Sequence, residues 1–285
     1  MAASPSMPEL PEVERARRLV EQVAVGRRIE RLRCASDDIV LQGVTPRAMV
    51  RALTGCTVLA SRRRGKQMWW ELDRRPWPLF HFGMTGQFVT PHDGPLRLAA
   101  HGQRPLDRSW PPRFWKIHVW LDDGGELAMT NARRLGRIRL QQDPERERPI
   151  AALGFDPLEE MPTAAEFAAD LRARKAVLKA VLLDQRFVAG VGNWMADEIL
   201  YQARIDPRRR GHELSEAQAR RIHAALGTIV REACAVDADK ARFPRSWLFH
   251  HRWGKVADAR TSKGERIEHI ELGGRTTAWV PAVQK

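Results

Sequence analysis

Apolar residues Leu10, Val13, Val20 and Val23 recur among charges at helical spacing, which predicts an amphipathic helix over 9–24. Pro11 falls in its first turn, where a missing N–H costs little. Glu9, Glu12 and Glu14 lie near its start, where the helix dipole favours negative charge. From about 28 to 142 the period shortens. CTVLASRRRGKQMWWEL, PLFHFGMTGQFVT, FWKIHVWLDDGGELAMT and RIRLQQD read as short strands separated by turn signals. WKIHVWL alternates apolar and polar residues, and Asp122-Asp123-Gly124-Gly125 makes a hairpin connection. Several such hairpins predict an antiparallel sandwich or barrel.

Near 154 the texture changes again. GFDPLEEMP reads as a linker, and Thr163 with Glu166 forms a capping box that opens a helix through about Asp184. A second helix fits 193–202. A third starts at Ser215, where Ser-Glu-Ala-Gln fits a capping box, and it places Ile222, Ala225, Leu226, Ile229 and Val230 on one face. The last forty residues return to β character with GERIEHIELGGRTTAWV. The chain is therefore α+β, with a β-rich half, a helical half and a small terminal hairpin.

Composition narrows the function classes. With 285 residues and 43% hydrophobic content, the chain can bury a substantial core. No apolar run reaches the length of a membrane span, and the first residues lack the h-region of a secretory signal, so no membrane partner and a cytoplasmic, nucleoid-associated location are expected. The three cysteines are scattered, which indicates neither a disulfide framework nor a cysteine zinc site. Charge changes the picture most. The net +13 is rich in arginine, as in Arg62-Arg63-Arg64, Arg133-Arg134 and Arg208-Arg209-Arg210, and it favours a polyanion, most simply nucleic acid.

Seven motifs then occur in order: PELPEVE at 8–14, RRRGK at 62–66, HFGMTG at 81–86, NARRLG at 131–136, GFDPL at 154–158, DQRFVAGVGNWMADEILYQARIDP at 184–207 and GGRTT at 273–277. Together they make the chain resemble the formamidopyrimidine-DNA glycosylase and endonuclease VIII family of base-excision repair enzymes. The resemblance implies an N-terminal catalytic β-sandwich with flanking helices over 7–152 and a linker over 153–162. It then implies a helix–two-turns–helix DNA-binding domain over 163–244 and a β-hairpin finger over 245–285.

It also implies a partner and a set of roles. The partner is double-stranded DNA carrying oxidised or abasic lesions, met by a monomer. Pro8 is the nucleophile: a terminal secondary amine attacks sugar C1′ and forms a Schiff base. An α-amino group titrates near pH 8, whereas a lysine needs a large shift to be as ready. Glu9 acts as general acid/base and Glu12 orients the site. Lys66 meets the phosphate beside the lesion. Met84, Arg133 and Leu135 fill the void left by the flipped base; the formamidopyrimidine branch usually has phenylalanine where Leu135 stands. Asn193 and Arg275 grip phosphates, Gly190 and Gly192 allow close backbone approach, and His81 and Arg134 complete the DNA-binding set. A catalytically silent protein that recognises damaged or abasic DNA would share every phosphate contact, and it is the rival reading.

Three departures accompany the resemblance. Most bacterial relatives bind zinc through two C-x-x-C pairs in the finger, but the matching positions here are Ala257, Arg260, Val280 and Val283. A zincless finger without cofactor is expected, packed on Trp253, Ile267, Ile270, Trp279 and Val280, and His250 with His251 are too few for a tetrahedral site. Only about fifteen residues, 235–250, join the third helix to the finger, so the long loop that covers an everted 8-oxoguanine is truncated. Oxidised pyrimidines, formamidopyrimidines and hydantoins then stand level with 8-oxoguanine as substrates. Finally, Pro8 can react only as a chain terminus, so MAASPS is expected to be a misassigned start or to be removed, followed by loss of Met7.

Overall fold

The computed structural model describes residues 7–92, 109–254 and 258–285. They fall into two compact units: one holds 12–152 with Pro8, the other 153–285 with 9–11.

The first unit is a β-sandwich with helices. Strands β1 (Ile29–Cys34), β6 (Trp115–Leu121), β7 (Glu126–Thr130) and β5 (Gln87–Val89) form one antiparallel sheet in the order β1-β6-β7-β5. Strands β2 (Val58–Arg64), β3 (Gln67–Leu72), β4 (Trp77–His81) and β8 (Arg137–Gln141) form a second, in the order β2-β3-β4-β8. One core draws Ile117, Val119, Leu121, Leu127 and Met129 from the first sheet. From the second it takes Val58, Met68, Trp70, Leu72, Phe80 and Ile138. Helix α1 (Leu10–Ala24) adds Val13, Ala16 and Val20. Its charged face carries Glu14, bonded to Arg17 and Arg18 one turn on and to buried Arg63 at 3.0 Å. Burial pushes the Glu14 carboxyl up, and the Arg17 and Arg63 guanidiniums outweigh it and hold the group below its ordinary range.

Helix α2 (Pro46–Leu53) interrupts the stretch expected to be all strand. Its signals are ordinary: Thr45 caps the Ala48 amide, Pro46 sits at N1, and Met49 and Leu53 are buried. The strand patterns flanking it masked a helix of only eight residues.

The second unit packs α3 (Ala164–Arg172), α4 (Leu178–Leu183), α5 (Asn193–Gln202) and α6 (Glu216–Ala235) around Trp194, Leu226 and their neighbours. Both expected capping boxes form, at Thr163 and Ser215. The single helix expected over 163–184 is instead two. Residues 174–177 leave the helix to pair with 209–212: Val177 bridges Arg210, the Leu178 amide bonds the Arg209 carbonyl and the His212 amide bonds the Arg174 carbonyl. Tertiary pairing overrides helix propensity there.

Residues 235–250 form two short 3₁₀ turns, with Phe243, Trp247 and Phe249 buried against Trp194. The terminal hairpin is β9 (Glu268–Leu272) and β10 (Arg275–Trp279), turned at Gly273-Gly274. Its core is Ile267, Ala278 and Val280 against Tyr201 and Leu248. Ile267 and Val280 were expected there, whereas Trp253 packs on the helical core instead.

Candidate functional site

Pro8 is buried and Glu9 follows it directly before α1. The Glu9 carboxylate, 1% exposed, accepts the amides of Gly192 (2.8 Å), Trp194 (2.9 Å) and Met195 (3.2 Å). These are orphan donors at the start of α5, where Gly192 has no side chain with which to cap. Glu9 supplies that cap from 183 residues away, and the helix dipole favours its negative charge. The Leu10 amide reinforces the junction by donating to the Gly190 carbonyl. Gly190 and Gly192, expected to approach a phosphate, have protein partners for their amides: Gln185 Oε1 for the first and Glu9 for the second. Gly192 matters for space, since a Cβ there would lie 2.3 Å from Glu9 Cδ. Glu12 is buried in the first turn of α1.

In the sandwich, strand register gathers the remaining expected residues at one end. Lys66 lies in the two-residue turn between β2 and β3, and Gln67 beside it pairs with His81, which pairs in turn with Arg137. His81 accepts the Gly83 amide at Nδ1. Burial and then the charges of Lys66, Arg139 and Arg137 lower its pKa to about 4, so it is neutral at pH 7 and its Nε2 carries the proton, a donor suited to a phosphate oxygen. The loops 82–86 and 131–136 leave this same end and are clasped by buried Asn131. Its Nδ2 donates to the Phe82 carbonyl (2.8 Å) and its Oδ1 accepts the Gly136 amide (3.1 Å). The Arg133 amide also bonds Thr85 Oγ1. Gly83, at φ +62°, meets the Leu135 backbone so closely that a Cβ would stand 2.3 Å from its carbonyl carbon.

This clasp presents Met84 half-buried in a turn, with Arg133 and Leu135 exposed. Arg134 turns back, its guanidinium bonding both Asp37 oxygens at 3.0–3.1 Å. Lys116 also reaches Asp37 at 2.7 Å. Burial raises the Asp37 carboxyl, and these two cations overcome it and hold the group well below the usual carboxylate range. The arginine runs are thus partly internal: Arg62 pairs with Glu71, Arg63 with Glu14 and Arg208 with Asp206.

In the helical unit, Asn193 opens α5 and its Nδ2 donates to the Thr276 carbonyl at 3.0 Å, which brings it beside exposed Arg275. The side-chain amide carries a second N–H donor. Buried Asp197, one turn on, holds the hairpin: it accepts the Ala278 amide (3.0 Å), Arg252 Nε (3.1 Å) and the Lys179 ammonium. Lys179 also donates to the Asn193 carbonyl. Sequence reasoning missed Asp197, Asp37 and Asn131. Asn131 and Asp197 carried a signal, as members of the NARRLG and 184–207 motifs, whereas Asp37 carried none.

The residues present do not fit zinc. Arg260, Val280 and Val283 carry no metal-ligating atom, Ala257 lies outside the described residues, and among those described no group of three or more His, Cys, Asp or Glu side chains could hold an ion.

Residues 7–138 match the formamidopyrimidine-DNA glycosylase N-terminal domain, and 153–245 match the formamidopyrimidine-DNA glycosylase H2TH domain. A formamidopyrimidine-DNA glycosylase of Arabidopsis thaliana is 41% identical over 98% of this chain and 71% of its own length. One from Paracoccus denitrificans is 33% identical over 98% of this chain and all of its own. Among solved structures, the Lactococcus lactis enzyme bound non-covalently to abasic-site DNA superposes with a TM-score of 0.78 at 25% identity, covering 97% of this chain and 99% of its own.

Proposed function

Because the chain belongs to the formamidopyrimidine-DNA glycosylase family, we propose that it is a bifunctional DNA glycosylase and abasic-site lyase that removes oxidised bases from duplex DNA in base-excision repair. The observation that carries the reading is the Glu9 carboxylate. It is fixed by three backbone amides and directly follows Pro8 in the chain, so a proton-transfer group is bonded next to a residue that becomes a secondary amine when it is the chain terminus.

The Pro8 nitrogen attacks C1′ and the N-glycosyl bond breaks, the base leaving with the electron pair and gaining a proton. The sugar ring opens to an iminium, which acidifies the C2′ hydrogen. Loss of that proton expels the 3′ phosphate; loss of the C4′ proton then expels the 5′ phosphate, and water hydrolyses the iminium to free the enzyme. Glu9 moves the protons. Lys66, neutral His81, Asn193 and Arg275 hold phosphates, while Met84, Arg133 and Leu135 fill the vacated stack. The protein acts as a cytoplasmic monomer and without a metal. The segment 235–250 is short, with Phe243, Trp247 and Phe249 turned into the helical core, which supports lesions that need no long cover.

Borohydride trapping on abasic-site duplex is the test. A covalent adduct that falls sharply in Pro8→Gly is expected; no adduct leaves a damage-binding protein, and an undiminished adduct in Pro8→Gly rejects Pro8 as the nucleophile. Intact-mass measurement of native protein should show a chain beginning at Pro8.

A further inference from the structure

Four large hydrophobic side chains are exposed among the described residues: Ile39 (44%), Leu59 (52%), Phe114 (46%) and Leu135 (43%). Three of them lie within two residues, along the chain, of a member of one ion cluster. Asp37 bonds Lys116 and Arg134. Ile39 lies two residues after Asp37, Phe114 two before Lys116, and Leu135 directly after Arg134. Strand register puts all three at the same end of the sandwich: Cys34 pairs with Ile117, Trp115 with Thr130, and His81 with Arg137. Leu59 lies at the other end of β2.

Phe114 is also strained. The Trp115 amide bonds the Pro112 carbonyl, closing a turn whose third residue is Phe114 at φ +64°, where such turns favour glycine. Its carbonyl accepts the amide of Asn131, the residue that clasps the Leu135 loop, and the Arg113 guanidinium lies 4.6 Å from its ring centroid. A bulky aromatic kept exposed in a glycine conformation marks a functional surface more than a packing one.

We propose that Phe114, with Ile39, extends the Leu135 contact into one apolar surface that stacks an unpaired nucleobase of the strand opposite the lesion. Leu135 can fill space, but an aliphatic side chain has no π-face; Phe114 supplies one, and the adjoining Arg113 attracts the flanking phosphates. This inference rests on the DNA-repair reading above.

The test uses the full chain and a duplex carrying an abasic analogue with 2-aminopurine opposite. Phe114→Gly accepts φ +64° without strain, so it folds and melts no lower than wild type. Its affinity should drop about tenfold, the loss of one base–aromatic stack, and the 2-aminopurine quenching seen with wild type should disappear. Leu59→Ala should bind as wild type does. Wild-type affinity and quenching in Phe114→Gly, or an equal loss in Leu59→Ala, overturns the inference alone. A wild-type protein that does not bind the duplex overturns it together with the repair reading.

Discussion

The Glu9 carboxylate occupies the space in which a side chain at Gly192 would begin: a Cβ there would stand 2.3 Å from Glu9 Cδ and 2.5 Å from Oε1. The carboxylate cannot swing away cheaply, because three amides of the α5 N-terminus hold it. Gly192→Ala should therefore destabilise the protein by about 1–3 kcal/mol, an overpacking cost, and slow borohydride trapping by displacing Glu9. Glu9→Gln keeps the volume and weakens the cap by about 1 kcal/mol, so a lyase rate that falls much more than stability does separates proton transfer from packing. Urea denaturation and single-turnover trapping measure the two.

Asn131 joins the two loops that present Met84, Arg133 and Leu135. Asn131→Ala leaves the Gly136 amide without its partner, at about 1–3 kcal/mol, and leaves the Phe82 carbonyl with the Gly86 amide alone, which unlinks the two loops. Thermal denaturation should show the loss, and binding to lesion duplex should weaken further than in a variant of equal stability altered elsewhere.

Glu198 should contribute less stability as pH rises from about 4.5 to neutrality. Burial raises this carboxyl from its ordinary 4.5 to about 7, against the Gln202 and Phe249 hydrogen bonds that lower it. The fold therefore prefers the protonated form. Its contribution is full below pH 4.5, is lost between there and about 7, and is level above, for a total of up to about 3 kcal/mol. Denaturation of wild type and Glu198→Gln from pH 5 to 8 should show wild type losing stability relative to the variant up to about pH 7, while the opposite contribution of His81 is common to both.

Asp197 should carry the hairpin's attachment. Asp197→Asn leaves Lys179 and Arg252 buried without their counter-ion, at roughly 3–5 kcal/mol, and loosens β10 beside Asn193. Hydrogen exchange at Ala278 should accelerate. A chelator, by contrast, should leave both exchange and trapping unchanged, and elemental analysis should find no stoichiometric zinc.

Lys66→Ala should weaken binding alike on damaged and undamaged duplex and reduce the slope of log affinity against log salt by about one, as expected for one phosphate contact.

Much of this arrangement is legible in the chain. Period-two runs placed the strands, Thr163 and Ser215 marked helix starts, and the family resemblance carried by seven motifs implied Pro8, Glu9, Lys66, Asn193 and Arg275. Local chemistry suffices there, because alternation, capping and turn residues act over a few positions. What stayed hidden depends on partners far apart in sequence. The cap that Glu9 provides to α5 spans 183 residues. The break between α3 and α4 exists because 209–212 competes for the backbone of 174–177. Arg63 and Arg134 look like any phosphate-binding arginine until Glu14 and Asp37 are seen to hold them. Chain chemistry determined the elements and the candidate residue types; long-range packing decided which charges face each other, because pairing energy depends on distance and burial that no local pattern encodes.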